Sequence, residues 1–226
     1  MESFIFSAVL SAEHVTDVFF WMTAFIGSYF MLTKMQKQDG FLGSKLFIYF
    51  NRVVRLLPLY VFTIFFFWKF LVLFGGDGPL FHQYQSNTEC SKHWFWHVVF
   101  LNNIVPWGKP NTCLPWTWYI ANDFQFFLLL PIFAGLYYEL SKRRKFYTTL
   151  GIIALVCTFV QMIVILANSL SVSYFTYKDE YWTVYYVKPY SRLPVFLVGV
   201  VAGCSYYTFK KEGEEVVEGH RIAKII

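Results

Sequence analysis

Charge is scarce in this chain. Only 15% of its 226 residues are Asp, Glu, Lys or Arg, whereas soluble domains carry nearer a quarter. An ordinary soluble domain is excluded on that ground. The sequence also has no Gly-rich phosphate loop, no CxxC pair and no Gly-x-Ser-x-Gly. The usual signatures of nucleotide binding, dithiol redox chemistry and serine hydrolysis are therefore missing. No internal repeat or low-complexity segment is visible. The opening "MESFIFSAVLSAEHVTDVFF" has no basic region, and Glu2, Glu13, His14 and Asp17 interrupt it. It does not read as a signal peptide.

Apolar side chains dominate instead. Hydrophobic residues make up 57% of the chain and aromatics 23%, with a mean hydropathy of +0.44. Phenylalanine is especially abundant, which a lipid-facing aromatic surface or base composition would each produce. Apolar runs recur that are long enough to cross a hydrocarbon core. The expected fold is an all-α, polytopic transmembrane helix bundle of about five spans. We place the spans at about 18–33, 56–74, 116–138, 148–167 and 193–209. The stretch "WFWHVVFLNNIVPW" (94–107) is too short to span. Its aromatic ends and central Asn102 and Asn103 suit an interfacial or re-entrant helix.

The basic residues test this count. Thirteen of them, including Lys34, Arg52, Arg55, the run "KRRK" and Lys210, fall in alternate loops or the tail, against five in the opposite loops. The bias alternates across every span, as cytoplasmic-type loops require. It puts the N-terminus on the outer side and the C-terminus on the basic side. The net charge of +5 is thus mainly a topology signal, and nucleic-acid binding is a poor reading. Residues 1–209 form the transmembrane domain and 210–226 a polar tail.

Cys157 and Cys204 fall inside spans, as small buried apolar groups. Cys90 and Cys113 lie in one outer loop near span ends. They are placed to form a disulfide if that side is oxidising, and are two free thiols otherwise. His82, His93 and His97 share the loop. His93 and His97 are four apart, as metal ligands on a helix could be. No acidic or Cys partner completes a set, so interfacial polar histidines are the simpler reading and no metal is expected.

The segment "WTWYIANDFQFFLLLPIF" (116–133) poses a sharper question, because Asn122, Asp123 and Gln125 lie in its first half. A carboxylate facing lipid costs several kcal/mol. Asp123 must face protein, a wet cavity or the outer interface. It is either paired structurally or lines a polar chamber, with Tyr119, Asn102 and the Asp17 end of the first span as nearest candidate partners. On a helix, Asn122 and Gln125 share a face with Trp118 and Leu129. Asp17 lies one turn after His14, an arrangement open to two readings: a base with its orienting carboxylate, or a hydrated helix end. Arg52 and Arg55, one turn apart in "NRVVRLLPLY", can bind one anionic group together or anchor the span electrostatically.

Four stretches, in order, resemble the acyltransferase type 3 family of integral-membrane O-acyltransferases, in particular its branch containing the nose-resistant-to-fluoxetine proteins. "DVFFWMTAFIGSYFML" is similar to the D-x-F-F-x-x-S-G-F helix and "NRVVRLLPLY" to the R-x-x-R-x-x-P-x-Y turn. "ECSKHWFWHVVFLNNIVP…TCLPWTWYIANDFQFFLLLPIF" resembles the run of Cys, W-W-x-N-x-x-x-x-N-N, Cys and W-Y-L-A-x-D-M-Q-x-F. "YYVKPYSRLPVFLVGVVAGCSYY" resembles the K-P-W-x-R-x-x-P-Y-x-x-G-x-x-x-G helix. The third match is the most specific.

The resemblance implies that Arg52 and Arg55 bind the acyl donor on the cytoplasmic side. It puts Asp123 and Gln125 on the D-M-Q positions and Cys90 and Cys113 on the outer-loop cysteines. The family's catalytic histidine lies on a helix preceding the F-F-x-x-S-G helix, to which nothing here corresponds. Thr23-Ala24 replace the Ser-Gly, and the family fold has about twice as many spans. The expectation is therefore a non-catalytic structural subunit of a membrane assembly. The alternative is an active O-acyltransferase moving an acyl group from acyl-CoA to a lipid or other hydroxyl acceptor. In that case His14, Asp17, Asp123 and Gln125 are the catalytic candidates, with the loop histidines further possible bases. No cofactor is expected to be bound permanently, and acyl-CoA would be the substrate. The expected partners are the bilayer, a bound anionic phospholipid and other membrane subunits. Either a mitochondrial inner membrane or an endomembrane fits the charge pattern.

Overall fold

A computed structural model describes residues 15–37, 41–70, 88–107, 113–140, 143–170 and 180–223. Among them there is no strand, so the all-α class stands. The α-helices are α1 (Val15–Lys37), α2 (Phe41–Phe65), α3 (Thr88–Val98), α4 (Trp118–Glu139), α5 (Arg143–Ala167) and α6 (Pro189–Ala223). A π-helical turn, Phe66–Phe70, continues α2, the 3-10 turn Pro115–Thr117 leads into α4, and a second π-helical turn, Tyr181–Tyr186, precedes α6. Five helical segments are long and apolar enough to cross a membrane: Val15–Gln36, Phe47–Phe70, Pro115–Tyr138, Arg143–Ala167 and Pro189–Gly213.

The second span differs from the expectation. It starts at Phe47, so Arg52 and Arg55 lie within the membrane-length helix and not before it. A charge count reads such arginines as a loop, but a long side chain can remain in a span if its guanidinium finds a partner or water. The stretch 94–107 is not among the helices of membrane length, and its helix ends early. α3 stops at Val98, and Phe100 takes the left-handed conformation with φ 57°. The side chains of Asn102 and Asn103 then bond elsewhere in the fold, as Asn does where helix is abandoned. α6 continues through the polar tail to Ala223 with no backbone break at residue 209. Pro189 opens that helix, where the missing N–H costs nothing.

The chain divides into two units. The first comprises residues 1–41, 126–158 and 192–226. It is packed by aromatic and small residues. Phe126 stands edge-on to Phe20 at 5.5 Å and lies 4.9 Å from Phe196. Tyr137 meets Phe146 at 5.1 Å. α6 approaches α1 so closely that a Cβ on Gly199 would strike the carbonyl oxygen of Trp21, and one on Gly203 that of Phe25. Small residues permit such backbone contact between membrane helices.

The second unit comprises residues 42–125 and 159–191. Its core joins Tyr60 and Ile64 of α2 to Phe100, Leu114, Ala121 and the two cysteines Cys90 and Cys113. Those cysteines form the expected disulfide, closing a separation of 23 residues. α5 runs through both units. Little of it is buried, and Leu155, Phe159 and Leu166 are among its exposed side chains, as suits a helix in contact with lipid.

Candidate functional site

The polar residues of α4 explain themselves in the second unit. Asp123 accepts a short hydrogen bond and ion pair from Arg52 Nη2 of α2. This partner, 71 residues away in sequence, differs from the Tyr119, Asn102 and Asp17 expected above. Both side chains are mostly shielded, at 23% and 17% exposure for Arg52 and Asp123. Arg55, one turn further on, is exposed. The two arginines thus do not converge on one point, and Arg52 alone meets the carboxylate.

On the next face of α4, Asn122 and Gln125 grip the turn that follows α3. Asn103 Nδ2 donates to Asn122 Oδ1 at 2.7 Å and to Gln125 Oε1 at 3.1 Å. Gln125 Nε2 donates back to Asn103 Oδ1 and to the Phe100 carbonyl, each at 2.8 Å. Asn122 Nδ2 donates to the Val187 carbonyl at 2.9 Å. The helical sharing of a face by Asn122 and Gln125, read from spacing, is what lets both reach Asn103. Lys188 completes the cluster. Its Nζ donates to the Asn103 carbonyl at 2.7 Å and stands 4.3 Å from the centre of the Trp107 ring. Lys188 is buried, and burial pushes its ammonium down to about 8.

A second buried group sits beside the disulfide. His97 Nδ1 lies 3.2 Å from Tyr60 Oη and 3.0 Å from Thr117 Oγ1. Asn102 Nδ2 also donates to Thr117 Oγ1, at 3.0 Å. His97 is fully buried, so it is not the interfacial polar residue that its Trp neighbours suggested. Its aromatic and hydroxyl partners make it a core histidine. Among the described residues no group of three His, Cys, Asp or Glu side chains could hold a metal ion.

Asp17 belongs to the first unit. Arg192 Nη1 of α6 donates to both its carboxylate oxygens, at 3.0 and 3.1 Å. His14 and His82 lie outside the described residues. Both carboxylates considered for acid–base work, Asp17 and Asp123, are therefore engaged by arginine. What the cluster offers chemically is fixed donors: a guanidinium, three side-chain amides locked by one another, and a buried ammonium.

The family model for the acyltransferase domain of the type 3 family matches residues 4–215. The chain belongs to the acyltransferase type 3 family. Among relatives of this acyltransferase-3 chain, Nose resistant to fluoxetine protein 6 of Caenorhabditis elegans is 26% identical over 213 residues, covering 85% of this chain and 25% of that protein. Regulator of hypoxia-inducible factor 1 of the same organism is 29% identical over 111 residues, covering 46% of this chain and 20% of that protein. The acyltransferase-3 chain thus spans about a quarter or less of the length of these relatives. No solved structure matches.

Sequence reasoning missed two members of these sites. Lys188 and Arg192 were counted as loop charges, yet both lie in the acyltransferase-3 stretch "YYVKPYSR". Their spacing gave no signal, because residues four apart share a helix face whereas these two meet Asn103 and Asp17 respectively.

Proposed function

We propose that this integral membrane protein contributes the donor-holding part of an O-acyl transfer site, with acyl-CoA as substrate and a hydroxyl acceptor. The observation that supports this most directly is the Arg52–Asp123 pair. It keeps a guanidinium at a defined place within a span. A phosphate or carboxylate of the donor is an oxyanion recognised by the same guanidinium fork, and it would bind Arg52 alongside Asp123. The acid–base histidine that such transfer needs would come from outside the described residues or from another chain. Arg55, exposed on the next turn, would meet the distal part of the donor.

A second reading is favoured by one observation: both Asp17 and Asp123 are already neutralised by arginine within the fold. On that reading the chain is a non-catalytic subunit of a membrane assembly, and Arg52 and Arg55 serve an anionic phospholipid or no ligand. The two separate cleanly. The purified native protein, with any chains that accompany it, is given acyl-CoA carrying a labelled acyl group. Turnover that falls at least tenfold in Arg52→Gln while the protein still elutes as a folded species supports the transfer role. Absent turnover, with Arg52→Gln released from its assembly, supports the subunit.

A further inference from the structure

Lys188 differs from the other buried cations of this chain. Arg52 and Arg192 each face a carboxylate, but Lys188 makes no ion pair among the described residues. It is also more deeply buried, at 1% exposure. An ammonium has three N–H donors, and here one goes to the Asn103 carbonyl. The ring of Trp107 provides a cation–π contact, which offsets only part of the cost of removing a charge from water.

The seat of this ammonium is rigid on both sides. The Asn103 carbonyl that receives it belongs to a residue whose side chain is locked by Asn122 and Gln125. The carbonyl of Lys188 itself accepts Ser191 Oγ at 2.6 Å, and that of its neighbour Val187 accepts Asn122. A fold that needed only a packing element here would gain by placing a neutral side chain in this position. Trp107, whose ring lies 4.3 Å from the charge, is itself 60% exposed.

We infer that Lys188 is an anion-binding group, whose ligand presents a carboxylate or phosphate to the ammonium beside Trp107. None of the described contacts of Lys188 is with Arg52, and the inference holds whether or not the chain transfers acyl groups. The anion comes either from a lipid headgroup or from a soluble oxyanion, and the same chemistry serves both. Ligand binding would supply a countercharge that no described residue gives Lys188. Burial lowers the proton affinity of Lys188, and a bound anion would raise it.

The test is thermal unfolding of the full chain in a phosphate-free maltoside detergent, at constant ionic strength set with chloride. The probes are inorganic phosphate, acetate and a short-chain phosphatidylglycerol. Wild-type protein should gain about 5–10 °C at a hundredfold excess over Kd. The gain should persist in Lys188→Arg and vanish in Lys188→Met. A response to phosphate or acetate identifies a soluble oxyanion, and a response to the lipid alone identifies a headgroup. No response of wild type to any probe overturns the inference, as does an equal gain in Lys188→Met.

Discussion

The two units hold themselves together by different means. The first relies on contact: phenylalanine rings against one another, and two glycines of α6 set against the backbone of α1. Its single described buried ion pair, Asp17–Arg192, lies at one end of these helices. The second unit relies on bonds: a disulfide, an ion pair within the spans and a closed set of amide contacts around Asn103. Close packing tolerates changes of polarity badly and changes of volume worse. A hydrogen-bonded cluster is sensitive in another way, because removing one member leaves the others buried and unsatisfied. The candidate chemistry therefore gathers where the structure is held by directional interactions.

Volume should break the first unit. Gly199→Leu forces a side chain into the Trp21 carbonyl, and backbone cannot yield as a flexible side chain would. We expect loss of the folded species, read as absence of a monodisperse peak in size-exclusion chromatography. The matching change on an exposed position, Leu155→Ala, should leave the peak intact.

Reduction should weaken the second unit more than any single polar change. The chain-entropy account gives about 3 kcal/mol for a loop of this size. Cys90→Ala with Cys113→Ala should lower the denaturation midpoint accordingly, and dithiothreitol should reproduce the shift in wild type only.

The Arg52–Asp123 pair sharpens the comparison. Asp123→Asn should cost about 2 kcal/mol, since it leaves a shielded guanidinium without its charge partner. In a double-mutant cycle with Arg52→Gln, the two losses should overlap and not add. Strict additivity would show that the contact carries no coupling.

The smallest effect is a pH dependence. The folded-state value of Lys188 is lowered from 10.5 to about 8. Between these values the unfolded chain binds more protons than the folded one, so stability rises with pH through that window. The gain from about pH 8 to pH 9 should be about 1 kcal/mol, seen as the difference between wild type and Lys188→Met. A flat difference across the window would count against an uncompensated ammonium.

Much of the fold was legible before any coordinates. Hydropathy runs of membrane length located the five spans, and the short stretch before Trp107 was excluded from them by length alone. The disulfide was one of two readings open to the cysteines placed near span ends in one loop, and the structure shows it formed. The early start of α2 was not legible, because Arg52 and Arg55 look like loop charges until a partner is known. That partner, Asp123, is distant in sequence, and no local pattern points to it. The same limit hid Arg192 behind Asp17 and Lys188 behind Asn103. His97 was misjudged because its Trp neighbours suggested an interface, whereas Tyr60 and Thr117, from other elements, enclose it.

The disulfide has a practical consequence for reagents. It removes two of the four cysteines from thiol chemistry, and Cys204 is fully buried in the first unit. Cys157, partly exposed on α5, is left as a natural single attachment point. Because Cys157 lies within a span, where a thiol stays protonated and reacts slowly, labelling of the oxidised, folded protein should be slow and confined to this one helix, and faster labelling should report reduction or unfolding.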